Sequence, residues 1–159
     1  MIKLYRFDGD KKEYWETWDN GNGNFTVHWG VLGTRGQSDV IESSFFEKAK
    51  RIVEQQILVK RNEGFNEVDP EDEFTLLIEY SVDGMGNEAD LDKRYALEDR
   101  MNETLGWTGL GNCDGGSIGS GTMEVCCFVV DFELAKKVIE KDLLDTEFSD
   151  YIRIYYENA

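Results

Sequence analysis

A single histidine, His28, stands in this chain of 159 residues, and a single proline, Pro70. One imidazole, with no second His and no Cys near it in sequence, completes neither a metal site nor a Ser/His/Asp or Cys/His arrangement. No catalytic group, metal or cofactor is therefore expected, and the chain reads as non-enzymatic. Cysteine is scarce as well, being confined to Cys113, Cys126 and Cys127. An odd count with two adjacent residues does not make a disulfide framework. Neighbours on a strand point to opposite faces, so Cys126 and Cys127 read as buried thiols rather than ligands of one metal. A reducing cytoplasm is the expected location. No apolar run approaches the roughly 18 residues needed to span a membrane. The opening Met1-Ile2-Lys3-Leu4-Tyr5-Arg6 has no long apolar core and no small-residue cleavage site, so no signal peptide is expected.

Basic residues are the remaining shortage, and it is uneven. Residues 1–68 hold 10 Lys+Arg against 11 Asp+Glu, whereas residues 69–159 hold 7 against 22. No Lys or Arg occurs between Met101 and Ala135. The formal net charge of −16 thus falls almost wholly on the second half. A field of that sign repels nucleic acid and anionic membrane and attracts basic partners, unless the acidity serves solubility alone. What the chain has in quantity is apolar and aromatic: 40% hydrophobic residues, with nine Phe, seven Tyr and four Trp. That is a globular composition, of a length for one domain or two small ones.

The first half reads as short strands followed by a helix. Strands are expected at Lys3 to Phe7, Tyr14 to Asp19, Phe25 to Leu32 and Gln37 to Glu42. The turns are Asp8-Gly9-Asp10, Asn20-Gly21-Asn22-Gly23-Asn24 and Gly33-Thr34-Arg35-Gly36, rich in residues that tolerate positive φ. Alternation puts Phe25, Val27, Trp29 and Val31 on one face of the third strand. Ser43 or Ser44 is the expected cap of a helix, with Glu47 at capping-box spacing from Ser44. Phe45, Ala49, Ile52, Val53 and Gln56 or Ile57 then fall at the spacing of one inward face, and Gly64 ends the helix.

The block His28-Trp29-Gly30-Val31-Leu32-Gly33-Thr34-Arg35-Gly36-Gln37, the lead-in Tyr14-Trp15-Glu16-Thr17-Trp18 and the helix end Lys60-Arg61-Asn62-Glu63-Gly64-Phe65 carry a resemblance. Residues 1–68 resemble the WGR domain, a small β-rich module with a Trp-Gly-Arg signature. The resemblance implies an antiparallel sheet with one helix against it. It also implies DNA-end binding of the kind seen in some nuclear ADP-ribosylating enzymes. Val31 stands where the family has its Arg, which removes the cation beside the Trp and argues against that activity here. The chain is too short to contain the catalytic domain that accompanies the module in those enzymes.

Residues 69–73 read as an acidic linker around Pro70. Residues 74–159 then read as a second, acidic domain. Phe74 to Tyr80, Thr122 to Val130 and Tyr151 to Tyr156 are expected strands, with a shorter one between Gly109 and Ile118. Asp90 to Leu105 and Phe132 to Leu144 are expected helices. The order is βαββαβ, which is ferredoxin-like, and the fold class of the whole chain is α+β. The stretch Gly109-Leu110-Gly111-Asn112-Cys113-Asp114-Gly115-Gly116-Ser117-Ile118-Gly119-Ser120-Gly121 is similar to bacterial domains of unknown function with this fold. That likeness spans about residues 74–157 and brings no activity with it.

The candidate binding residues are His28, Trp29, Gly30, Arg35, Gln37 and Trp107. An exposed Trp29 would stack on a sugar, a base or a protein surface. If its face is the buried one, it lines the core with Phe25 and Val27 instead. Arg35 would hold one phosphate, but affinity for DNA rests on several such contacts. The preferred reading is a turn residue paired with a nearby carboxylate. Gly109-x-Gly111-x-x-Asp114 approaches a dinucleotide fingerprint but follows a helix instead of a strand, so a tight irregular connection is the preferred reading. Asn20 to Val31 fails as a calcium loop, having Phe25 and Val31 where Gly and Glu are needed.

Three functions remain. The first is a non-catalytic module that docks a basic protein, one form being an immunity-type inhibitor of a nucleic-acid-acting toxin. The second is DNA-end binding through the WGR-like half. The third is small-molecule binding at the glycine-rich segment. Trp29 and Trp107 are the expected apolar anchors of a docked partner.

Overall fold

The computed structural model describes residues 1–157, and the expected second domain extends two residues beyond them. The protein is α+β, with two four-stranded antiparallel sheets. It divides into two compact units, Met1–Asp69 and Pro70–Ala159. The stretch expected as a linker is partly ordered, since Pro70–Asp72 forms a 3-10 turn.

In the first unit, strands β1 (Ile2–Asp8), β2 (Lys11–Asp19), β3 (Phe25–Val31) and β4 (Gln37–Ile41) form a meander in sequence order. Side-chain alternation sends Leu4, Trp15 and Val27 to one face, where Val53 and Phe65 meet them in a small core. Helix α1 (Ala49–Asn62) lies on that face. Trp15 is 4% exposed; truncating such a ring costs about 3–5 kcal/mol. Gly64 does end the helix, at φ +95°. Its N–H bonds to Arg61 O and that of Phe65 to Lys60 O, both at 3.1 Å, which closes the last turn in a Schellman arrangement.

The helix begins later than its sequence pattern indicates. Lys48 precedes it without a side-chain cap. Ser43 serves the helix start from a distance: its Oγ accepts from the first helical amide, Ala49 N, at 2.9 Å and donates to Gly23 O at 2.7 Å. Ser44 Oγ accepts from Glu47 N at 3.1 Å, making a local turn outside the helix. Phe45, expected inward, is 96% exposed, and Phe46 beside it is 94% exposed.

The second unit runs β5 (Phe74–Ser81), α2 (Glu88–Trp107), β6 (Gly111–Gly119), β7 (Thr122–Val129), α3 (Phe132–Leu143) and β8 (Arg153–Glu157). Its strands lie in the order β6-β7-β5-β8, all antiparallel. Asn87 and Asp90 make a reciprocal capping box at the start of α2, and Asp131 accepts from Leu134 N at the start of α3. Leu97, Met101 and Leu105 of α2 meet Ala135, Ile139 and Leu143 of α3 in being fully buried, as are Leu76, Ile78, Val125 and Val129 of the central strands.

The strand expected between Gly109 and Ile118 is present and displaces the reading of the glycine-rich stretch as an irregular connection. It is strand β6, paired with β7 and interrupted by one bulge between Cys113 and Gly116. Helix α2 makes this possible by running side chains along the open edge of β6. Asn102 Oδ1 accepts from Cys113 N at 2.8 Å, and one turn earlier Glu98 Oε1 accepts from Gly115 N at 3.3 Å. Edge N–H groups that would otherwise be open are thereby occupied.

Candidate functional site

The six residues singled out in the sequence do not form one site. Trp29 lies on the helix side of the first sheet, half-buried. It sits directly across from Trp15 on one side and Gln37 on the other, so the three side chains share a row and a face. Val27, Ile41 and Gln56 join Trp15 and Trp29 around a shallow hollow of about 220 Å³. Trp29 is thus part wall of the core and part lining of this hollow.

His28 points the other way and is 1% exposed. Its role is internal, which corrects the expectation of a contact surface. Tyr14, Glu16 and His28 share the second face of the sheet through the pairing of β2 with β3. Tyr14 Oη donates to Thr34 O at 2.8 Å. His28 Nε2 lies 2.6 Å from Arg35 O, and Nδ1 lies 2.7 Å from Glu16 Oε1. A carbonyl oxygen only accepts, so Nε2 carries a hydrogen. Two lone pairs would repel at the Nδ1–Oε1 distance, so a second proton lies there. The buried His–Glu pair is therefore neutral overall, which removes the penalty of an isolated buried charge. Burial, reinforced by the nearby Glu16 carboxylate, pushes the Tyr14 hydroxyl well above the ordinary tyrosine range.

These bonds clamp the loop 32–36 against the sheet by its carbonyls. Gly30 and Gly36 let it close: a Cβ on Gly30 would come within 2.7 Å of Gly36 Cα. Gly36 has φ +61°, and a Cβ there would collide with the Trp29 carbonyl. The Trp-Gly pair is thus explained by backbone packing. The Arg35 carbonyl is held on the face opposite Trp29, and Arg35 itself is exposed.

In the second unit, Trp107 is the last residue of α2 and half-buried. The surface feature that sequence reading missed lies on the same helix. Glu88, Asp92, Asp99 and Glu103 recur at helical spacing and are all exposed. The spacing sets them on one side of α2 around Tyr95, itself 51% exposed. None of the four carboxylates makes a hydrogen bond or ion pair among the described residues. Of the basic residues of α2, Lys93 pairs with Asp150 and Arg100 with Asp142, while the Arg94 guanidinium lies over the Tyr95 ring, 5.0 Å from its centre. The signal was legible as a spacing of acids, once the helix was recognised to begin at Glu88.

No family model, no curated protein and no solved structure matches the chain. The reading of function therefore stands on the chemistry of these surfaces. No helix is long and apolar enough to cross a membrane among the described residues. No group of three or more His, Cys, Asp or Glu is placed to hold a metal ion among them either.

Proposed function

We propose that this is a non-catalytic binding protein that docks a basic protein partner. One concrete form is a bacterial, cytoplasmic immunity-type inhibitor whose acidic surface covers the positive groove of a nucleic-acid-acting toxin. The observation that carries this is the unpaired acidic side of α2 with Tyr95 at its middle. Unpaired carboxylates speed encounter with a cation-rich surface, and an exposed aromatic supplies the apolar contact that charge alone does not. Trp29 and Trp107 are less suited as anchors, because both rings are half-buried.

DNA-end binding through the first unit, on the WGR-like reading, is less well supported. Val31 replaces the signature cation, and the backbone that carries Arg35 is bound on the face away from Trp29. The ferredoxin-like reading of the second unit agrees with its βαββαβ order and strand arrangement but assigns no activity.

Affinity capture from the native cell tests the proposal with three proteins: wild type, Tyr95→Ala and the double change Asp92→Lys with Asp99→Lys. A basic protein retained by wild type and lost by both folded variants supports it. A basic protein retained equally by all three contradicts it. Duplex binding at micromolar affinity or tighter, with a steep salt slope, would favour the DNA reading instead.

A further inference from the structure

We propose that Cys113 and Cys127 form a cross-strand dithiol site that a low-molecular-weight disulfide, such as glutathione disulfide, converts to an internal disulfide. The two residues are direct partners in the pairing of β6 with β7, so their side chains share a face. Both are buried, at 4% and 0% exposure. Antiparallel partners either exchange both backbone hydrogen bonds or neither. The Cys113 N–H points away from β7, to Asn102 Oδ1. The pair is therefore of the non-hydrogen-bonded kind, in which Cα atoms lie about 4.5 Å apart and side chains come closest. That separation lies within the range a disulfide spans.

Cys113 Sγ donates to the Cys126 carbonyl at 3.1 Å. Cys127 is fully buried on an interior strand, whereas Cys113 lies on the edge strand, so Cys113 is the entry nucleophile. Access comes from its place in the fold. Cys113 is on an edge strand, and the pairing slips immediately after it, at the bulge before Gly116. Local opening there disturbs few backbone bonds.

The chemistry balances as two exchanges. The Cys113 thiolate attacks one sulfur of glutathione disulfide; the S–S bond breaks and one glutathione leaves as thiolate, taking up the Cys113 proton. Cys127 sulfur then attacks Cys113 sulfur of the mixed disulfide. The second glutathione leaves and takes the Cys127 proton. Two protein thiols are oxidised and one small disulfide is reduced to two thiols. Cys126 takes no part, since its side chain lies on the opposite face and is only half-buried.

The test treats the full chain with graded ratios of oxidised to reduced glutathione, followed by intact mass and peptide mapping. The expected product is lighter by about 2 Da and carries a Cys113–Cys127 link that thiol reverses. Cys126→Ser keeps that product, whereas Cys113→Ser abolishes it. The oxidised form should melt higher, by a shift on the order of 10 °C for a loop of this size. The proposal is overturned if wild type stays fully reduced at excess glutathione disulfide. A product bearing only glutathione on Cys126, or a link through Cys126, overturns it equally. These outcomes are read on wild-type protein and do not depend on any variant folding.

Discussion

Tyr14, Glu16 and His28 decide the shape of the loop that first draws the eye in this sequence. Each sits on the same sheet face: Tyr14 Oη bonds to Thr34 O and lies 3.1 Å from His28 Nε2, which itself meets Arg35 O, while Glu16 meets His28 Nδ1. Removing the imidazole by His28→Ala strands the Glu16 carboxylate in the interior. The expected loss is about 3–5 kcal/mol, measured by urea unfolding. Tyr14→Phe removes the bond to Thr34 O and the contact with His28 Nε2 at 3.1 Å but leaves no buried charge, and should cost about 1–2 kcal/mol. A His28→Ala loss below about 1 kcal/mol would mean that the pair does not hold the loop. In the sequence His28 appeared alone, because its partners come from the neighbouring strand and become visible only through the register. Tyrosine ionisation gives a second check. The hydrogen bond to Glu124 at 2.6 Å, with some desolvation, raises Tyr155 to about 12. A folded value above the unfolded one means that this contribution is intact below about pH 10 and fades as pH rises towards 12. Ultraviolet titration should show one such step in wild type and its absence in Tyr155→Phe.

At the scale of elements, local signals held where the chain satisfies itself locally. The turn at Asn20 to Asn24, the strand alternation and the Gly64 helix end all appear where the sequence placed them. The helix start did not, because Ser43 bonds to Gly23 from a different part of the chain. The strand expected between Gly109 and Ile118 is present as β6, but its length and pairing were not legible, for a similar reason. Its glycines carry no strand preference, and its edge is completed by Asn102 and Glu98 from α2. Asn102→Ala should therefore expose the Cys113 amide and destabilise the second unit by about 1–3 kcal/mol, with faster hydrogen exchange in β6. Unchanged exchange there would refute the edge-covering role. Gly36→Ala tests the other element, since it forces a side chain into the Trp29 carbonyl at a positive φ. A loss greater than about 1 kcal/mol is expected, and near-neutrality would contradict the close approach of loop and strand.

For the whole molecule, the partition of charge was plain in the sequence, and its arrangement was not. Counting acids shows that residues 69–159 carry the excess. It does not show that four of those acids stand unpaired on one side of α2 while Lys93 and Arg100 are tied to Asp150 and Asp142. The placement of Trp29 was open in the sequence in the same way. A tryptophan marks either a core or a surface, and only packing against Val27 and Trp15 settles what Trp29 does here. The measurement closest to the central claim is titration of the captured basic partner, purified, into wild type and into Asp92→Lys/Asp99→Lys, at low and high salt. The expected result is an association at least about tenfold slower for the charge-reversed protein at low salt, with the difference shrinking at high salt. Equal rates at both salt concentrations, with both proteins folded, would contradict docking through the acidic side of α2.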